Sequence, residues 1–586
     1  MPLMSLQRRV LIIGGYGTFG GRLVELLQHD SRLTLIVAGR SLARAAAYCT
    51  RRRSVGAEVV PAEFDRDGQL NEQLNTLKPD FVVDASGPFQ AYGDKPYRVI
   101  EACISARINY LDLADGSEFV AGVKAFDSAA RAAGVFVLAG VSSFPVLTAA
   151  VVRHLSSDMV SVTSIRGGIA PSPDAGVGAN VVRAIASYAG QPIRLKREGE
   201  ETTAYPFTES VRFTIAPPGR LPLKRTLFSL VDVPDLRVLA ELWPQARTIW
   251  MGAGPVPEVL HRALIAFAWL VRKRLLQSLL PLAPLMSFVM ERVRWGEHRG
   301  GMFVEVEGVR SDATRSKRSW HLLAEGDDGP LIPSMAAQAV IERTLGGWPP
   351  APGARSAARD LELNDYAALF AGRTISTGIR DEIACDGASL YSGVLGSAWF
   401  ELPHGIRQVH DTRSGAMFEG ICSVTRGRSL LGRFIASLFG FPHAGADVDV
   451  TVRFDIKEGV ERWTRTFAGR SFASLQFAGQ GDSERLLCER FGPLRFALAL
   501  VPDGQYLHLV LRRWSAFGVP LPLWLGPWSK SFETVEDERF RFHVEIGHRF
   551  TGLIVRYQGW LRPAASRSAV LSNVPSASGV PESAND

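Results

Sequence analysis

Residues 10–29 read VLIIGGYGTFGGRLVELLQH, an apolar run followed by a glycine turn and then leucines at helical spacing. A chain that passes from buried strand to amphipathic helix through such a turn forms a βα unit suited to holding a phosphate. In the array Gly15-x-Gly17-x-x-Gly20 the first glycine permits the tight turn. The second lets backbone N–H groups approach a pyrophosphate, and the third lets the helix pack close to the strand. Thr18 and Phe19 open the helix, where unpaired N–H groups and the positive dipole end favour anions. Among 56 glycines a bare pattern is weak evidence. The strand at 10–13 and the apolar face of Leu23, Leu26 and Leu27 give it context, against the alternative of a glycine turn with no ligand.

The second strand bears on which nucleotide is bound. LTLIVAGRS ends about 20 residues past the last glycine, where an NAD site offers an acid to the ribose 2′-hydroxyl. This chain offers Gly39, Arg40 and Ser41 there. A guanidinium can make a bidentate contact with a 2′-phosphate that a carboxylate would repel, and a serine hydroxyl can add a hydrogen bond. NADP is therefore expected, against the plainer reading of a surface arginine. Asp65, after EVVPAEF, is expected beside the adenine or as the cap of the following turn. Strands FVVDASGPF (81–89), INYLDL (108–113) and VFVLAG (135–140) alternate with helical stretches, predicting a Rossmann-type doubly wound parallel sheet over residues 1–158. Ser86, Gly87 and Pro88 then fall at a strand end, near the ribose and nicotinamide.

GGYGTFGGRL, AGRS, DASGPFQAYGDKPYRVIEACISARINYLDL and GVSSFPVLTAAVV resemble, in order and spacing, the NADP-binding domain of saccharopine-dehydrogenase-like oxidoreductases. The likeness covers the first 160 or so residues. From about 380, LYSGVLGSAWFELPHGIRQVH, ERWTRTFAGRSF, FGVPLPLWLGP and GLIVRYQGWL resemble an uncharacterised domain that follows such domains in bacterial proteins. One loop departs: where many relatives read Asp-Leu-Thr-Gly-Glu, this chain has Asp112-Leu113-Ala114-Asp115-Gly116, which puts any role of that Thr or Glu in doubt.

Length implies two to four domains. Five widely spaced cysteines without a CxxC pair predict reduced thiols rather than a disulfide framework, and eleven histidines without an HExxH pairing predict no metal site. A net charge of +7 with no aromatic-interleaved basic stripe does not suggest nucleic acid. No secretory leader is read, so a cytoplasmic protein is expected.

Residues 159–380 read as an α+β substrate and dimerisation domain, the interface for an expected homodimer. It holds strands at 303–310 and 319–326 and a helix that Ser334 caps and Gly346 ends, and a linker begins at 349–356. Residues 385–562 alternate with period two, with Val448, Val450, Val452, Phe454 and Ile456 on one face. They predict a mostly antiparallel sheet or half-barrel, with Pro502-Asp503-Gly504 as one hairpin turn. The tail 563–586 is small, polar and expected to be disordered. Within 258–295, ALIAFAWLVRKRLLQSLLPLAPLMSFVMERVRW (263–295) carries apolar runs too short to span a bilayer, parted by Arg272, Lys273 and Arg274. It reads as a buried helical pair, favoured because apolar runs are usually core, or as an amphipathic hairpin peripheral to the inner face of a membrane. Either suits a hydrophobic small-molecule substrate.

Hydride transfer to a carbonyl needs a nearby proton donor. None of the eleven tyrosines has Lys four residues later. Tyr92, Tyr110, Asp112 and His154 each have an equally good structural role, so no catalytic residue is assigned. Three readings remain open: an NADP-dependent oxidoreductase acting on a carbonyl or activated double bond of a hydrophobic, lipid-linked substrate; an amino-acid dehydrogenase of the saccharopine type, requiring convergence of arginines such as Arg166, Arg183 and Arg194; and a non-catalytic nucleotide-sensing or ligand-binding protein.

Overall fold

The computed structural model describes residues 7–52, 56–176, 178–382, 388–411 and 414–564. Cys385 and residues 565–586 of the expected tail lie outside them. The chain divides into two compact units, the second holding 389–391, 401–478 and the residues from 486 onward.

The first unit opens with β1 (Arg8–Ile13), α1 (Thr18–Leu27), β2 (Leu33–Gly39), α2 (Leu42–Arg51), β3 (Glu58–Glu63), β4 (Phe81–Asp84), β5 (Asn109–Asp112) and β6 (Phe136–Ala139). β7 (Met159–Ala170), the hairpin of β8 (Ile193–Arg197) and β9 (Glu200–Ala204), β10 (Ser210–Phe213), β11 (Thr226–Leu230), β12 (Thr248–Ala253), β13 (Gly300–Arg310) and β14 (Arg315–Ala324) follow. β15 (Gly353–Ser356) and β16 (Ile375–Asp381) complete it.

The nucleotide-type sheet is parallel, in the order β15-β6-β5-β4-β1-β2-β3. Every residue of β2 and β4 is buried, as helices on both faces require, while Pro61, which cannot donate to a ladder, sits on edge strand β3. Chain order reverses between β1 and β4, which opens a crevice at their C-terminal ends. The expected linker at 349–356 is corrected: β15 pairs with β6, so the chain returns to the first sheet as its seventh strand. Ser334 is also corrected from a cap. It lies inside the helix Ile332–Leu345, fully buried, and its hydroxyl donates to Phe19 O at 3.1 Å, fixing that helix against α1. Gly346 does end it.

The other sheet of this unit is mixed, β10-β11-β12-β7-β13-β14-β16. Beside it lie the helices Glu258–Arg272 and Ala283–Arg292. Their small residues Ala268 and Ala283 pack with Phe207, Val231 and Leu279. Phe267, Trp269, Leu270, Leu275, Leu285 and Phe288 are exposed, Leu275 by 72%. The favoured expectation of a buried pair is thus corrected. Apolar residues surround these helices, but one side packs on the fold, through His261, Ala268, Val271 and Ala283, leaving Phe267, Trp269, Leu270, Leu285 and Phe288 outside. Among the described residues no helix is long and apolar enough to cross a membrane.

The second unit contains β17 (Met417–Arg426), β18 (Gly445–Lys457), β19 (Val460–Phe467), β20 (Arg470–Ala478), β21 (Leu487–Phe491) and β22 (Leu494–Asp503). It continues with β23 (Tyr506–Ala516), β24 (Val519–Leu521), β25 (Trp528–Glu536), β26 (Arg539–His548) and β27 (Gly552–Pro563). Each strand pairs antiparallel with the next, β24 being a flap on β23, and β27 pairs with β17. The expected open sheet or half-barrel is therefore a closed ten-strand barrel, because only closure leaves no unpaired edge in so long a meander. Val450, Val452 and Phe454 face its buried side, as the alternation predicts. The turn expected at 502–504 is shifted: Pro502 and Asp503 stay in the ladder, and Asp503 faces Tyr506.

Candidate functional site

The turn after β1 is shaped by its glycines. Gly14 has φ +75°, a left-handed conformation that side chains disfavour. A β-carbon on Gly15 would lie 2.8 Å from Ile12 O, and one on Gly20 would collide with Gly14 O. Gly17 is the N-terminal cap of α1 and has no side chain with which to satisfy the free N–H groups there. A β-carbon on it would meet only the Gly14 carbonyl, and the residue borders a cavity of about 980 Å³ together with Thr18 and Phe19. Gly15 and Gly20 therefore set the geometry, while Gly17 leaves room for a ligand.

At the end of β2 the cavity is lined by Gly39, Arg40 and Arg44. The Tyr16 ring covers Gly39, where a β-carbon would lie 2.5 Å from its hydroxyl, and the Arg44 guanidinium lies 5.1 Å from the Tyr16 ring centre. Ser41 caps α2, its hydroxyl accepting Arg44 N–H at 3.4 Å. Arg44 was not evident in the sequence as a site residue. It lies in the first turn of α2, past the strand end where the sequence pattern points. Asp65 accepts from Asp67 N at 3.1 Å, closing the turn, and its neighbours Arg66 and Asp67 line the cavity.

Past β4, Ser86, Gly87 and Pro88 line the crevice. The Ser86 hydroxyl donates to Asp84 Oδ1 at 2.6 Å and lies 2.8 Å from the Tyr92 hydroxyl, which also reaches both Asp84 oxygens at 3.2 Å. Asn180 donates from the facing domain to the carbonyls of Ser86 (3.2 Å) and Gly87 (2.8 Å). Burial pushes the Asp84 carboxyl up, with the Ser86 bonds opposing it, and burial followed by Asp84 pushes the Tyr92 phenol up. Tyr92 thus stabilises the strand end. Tyr110 is interior, His154 is exposed, and buried Asp112 accepts from Ala114 N and Gly140 N while burial pushes it up to about 7.

Three groups farther along the cavity escaped sequence analysis: Asp115, Tyr188 and Asp232. Gln90 donates to Asp115 Oδ1 at 3.1 Å, and Ser117 donates to Asp232 Oδ1 at 2.6 Å. Burial raises both carboxyls, and the Asp232 charge raises Asp115 further. Burial and then the charges of Asp115 and Asp232 hold the Tyr188 phenol well above its ordinary range. Asp115 lies in the loop 112–116, where the sequence departs from the pattern Asp-Leu-Thr-Gly-Glu. Asp232 and Tyr188 arrive from distant sequence and gave no local signal. Phe144, Ile169, Phe207, Met302 and Met290 of the helix Ala283–Arg292 supply apolar wall.

A start of α1 with no side-chain cap, cations at the end of β2 and no carboxylate among residues 39–41 fit a phosphorylated dinucleotide. Thr18 and Phe19 at the helix start with Gly17 would hold the pyrophosphate, Arg40 and Arg44 the 2′-phosphate, and the 86–88 loop the nicotinamide half. Together the fold and this crevice define a nicotinamide-nucleotide oxidoreductase domain.

Residues 10–138 match the family model of the saccharopine dehydrogenase NADP binding domain, and residues 402–561 match that of a domain of unknown function, DUF4166. The chain carries a saccharopine-dehydrogenase-type NADP-binding domain followed by a DUF4166 domain, and its cofactor is NADP. No curated protein matches it. Among solved structures, apo saccharopine dehydrogenase (L-Glu forming) from Saccharomyces cerevisiae is similar over 64% of this chain and 99% of its own, at 13% identity and TM-score 0.44. GenD2 from gentamicin A biosynthesis in complex with NAD is similar over 65% and 98%, at 14% and 0.31. Biliverdin reductase from Synechocystis sp. PCC 6803 with biliverdin and NADP+ is similar over 58% and 92%, at 13% and 0.27.

Proposed function

We propose that the protein reduces a carbonyl or an activated double bond of a hydrophobic, lipid-linked substrate with NADPH. NADPH supplies the hydride when bound. The observation that carries the reading is the makeup of the cavity beyond the 86–88 loop, where raised acids stand beside an apolar wall that includes Met290. In this reading Asp115, held protonated to higher pH by burial and by Asp232, gives its proton to the substrate atom that gains negative charge, and the Tyr188 hydroxyl hydrogen-bonds the same atom.

The saccharopine-type alternative is disfavoured by its arginines. Arg166 is ion-paired with Glu305, Arg194 lies 3.7 Å from Glu201, and neither these nor Arg183 line the cavity. The cavity's guanidiniums, from Arg22, Arg40, Arg44 and Arg66, all come from the nucleotide-binding domain. The exposed faces of the helices Glu258–Arg272 and Ala283–Arg292 support a peripheral position on the inner face of a membrane, from which an apolar substrate can be taken.

The test is NADPH oxidation with two substrate sets, long-chain aldehydes and ketones against 2-keto acids paired with amino acids. Oxidation with the first set and not the second is expected. The reverse would establish amino-acid chemistry, and cofactor binding without oxidation across both sets would point to a sensor.

A further inference from the structure

We infer that the C-terminal barrel is a binding site for an uncharged lipid, one with an alkyl or isoprenyl body and a hydroxyl or carbonyl as its polar end. Independently of any redox chemistry in the first unit, the barrel encloses a cavity of about 410 Å³, within the roughly 300–1,000 Å³ typical of small-molecule sites. A closed barrel of this strand number has an interior wide enough for one ligand when its side chains do not fill it.

The lining is mostly apolar, including Val452, Trp463, Leu498, Leu509, Phe540 and Phe542. The two ends differ. At one, Ile435 on the helix Leu430–Leu438 and Phe439 border the cavity, while nearby Phe441 meets Phe472 of β20 at 5.4 Å between ring centres. At the other, Tyr391 donates to Gln476 Oε1, four residues farther along β20, at 3.2 Å. Tyr391, which lines the cavity, stacks on His410 with ring centres 3.6 Å apart.

The polar groups of the wall decide the ligand's charge. Arg465 donates to Ser474 Oγ (2.8 Å) and Glu489 Oε1 (3.2 Å), which also accepts from Ser474 (2.7 Å) and Gln476 (3.2 Å). Glu533 is bonded to His410 Nε2 at 2.6 Å, and Ser529 to Ser531 at 2.8 Å. Among the described lining residues, Arg465 is the one guanidinium, beside the carboxylates of Glu489 and Glu533, and the two lining imidazoles are bonded within the protein, His543 Nδ1 to Gln558 Oε1 at 2.9 Å and His548 Nε2 to Leu525 O at 3.2 Å. The guanidinium is already engaged by a carboxylate, so an entering anion would have to break that pair and would face both carboxylates. An uncharged ligand has no such obstacle. Burial of its body in the aromatic and aliphatic wall drives binding, and its hydroxyl or carbonyl bonds the wall's remaining polar capacity.

The experiment uses the full chain and Nile red, an uncharged dye that fluoresces in apolar surroundings, displaced by hexadecanol or by hexadecanoate at about pH 8. Displacement by hexadecanol at concentrations at least about tenfold lower than hexadecanoate is expected. Leu509→Trp, which fills the cavity, should weaken dye and hexadecanol binding by about tenfold or more while NADPH binding and the circular dichroism spectrum stay unchanged. If that variant does not fold, Leu511→Phe is read in the same way. No displacement by either lipid, equal displacement by both, or a folded cavity-filled variant that binds as before would each overturn the proposal.

Discussion

The carbonyl oxygen of Gly14 occupies the place that a β-carbon on Gly20 would need. Replacing Gly20 with alanine must therefore displace α1 from the turn, whereas a β-carbon on Gly17 would stand 3.0 Å from the same oxygen, a tight contact that a small shift relieves. Gly20→Ala should cost about 1–3 kcal/mol of stability, the range for overpacking. Gly17→Val should lose less stability than Gly20→Ala yet fail to bind NADPH. Thermal unfolding and cofactor titration of the two variants separate these effects, and retained binding by Gly17→Val would show that the turn does not hold the cofactor.

Arg40 and Arg44 line the cavity at the end of β2, and the proposal that they hold the 2′-phosphate can be tested through cofactor preference. Arg40→Asp should weaken NADPH binding relative to NADH by about 1.5–3 kcal/mol, as expected for a charge-assisted contact. Arg44→Ala should act in the same direction. The measurement is the ratio of dissociation constants for the two cofactors, and a ratio near one in the unaltered protein would refute the assignment.

Proton supply by Asp115 predicts a pH profile. Activity should fall as pH rises through the raised value of this carboxyl, because the proton it gives is then missing. Asp232→Asn removes the charge that adds to burial in raising Asp115, so it should move this alkaline limb to lower pH without abolishing turnover. Asp115→Asn should lower kcat by roughly 10²–10⁴-fold with little change in NADPH affinity. An unmoved limb in Asp232→Asn would separate the two carboxyls.

Asp235, fully buried at the start of the helix Asp235–Leu242, is pushed up to about 7 by burial. Its folded value lies above the ordinary 3.8, so the folded state binds the proton more tightly. The associated stability is complete below about pH 4 and is lost as pH rises toward about 7. Asp235→Asn keeps the shape without the charge. Its melting temperature should exceed that of the unaltered protein at about pH 8 and not at about pH 4, corresponding to a stability difference on the order of a few kcal/mol. Parallel curves for the two proteins would contradict this.

If the helices Glu258–Arg272 and Ala283–Arg292 rest on a membrane, the three neighbouring basic residues should not contribute equally. The Arg272 guanidinium lies 4.6 Å from the ring centres of Tyr205 and Trp269 and donates to Thr208 at 3.2 Å, while Lys273 and Arg274 are exposed. Changing Lys273 and Arg274 together to Gln should weaken binding to anionic vesicles at low salt by about 2 kcal/mol, or roughly thirtyfold. Sedimentation with vesicles reads this directly. A protein that ignores such vesicles would leave the exposed leucines and phenylalanines for a protein partner to cover.

Much of the nucleotide-binding domain was legible because its determinants are local. The turn glycines and the buried run of β2 each lie within a few residues of the feature they specify. The limits appear where contacts span the sequence. Ser334 reads as a cap, since serine before an apolar helical run usually is one, but its partner is Phe19 O more than three hundred residues away. β15 reads as linker because four residues that follow Pro352 and begin with Gly353 have no pattern of their own, and only its pairing with β6 makes it a strand. Tyr188 and Asp232 reach the cavity only through the packing of the two sheets. In the barrel, alternation gave the strands and their faces, but closure depends on a pairing between the first strand and the last, which no local period encodes.

That last pairing also has a consequence in time. Phe418 on β17 faces Pro563 on β27, so one side of the first strand stays without its neighbour until the final strand has been synthesised. The separation is on the order of 150 residues, which at 5–20 residues per second corresponds to roughly 7–30 s of elongation. During that interval the growing chain presents an unpaired strand and an unfinished apolar interior, making this the stage of biogenesis at which the domain is most exposed to aggregation and most in need of chaperones.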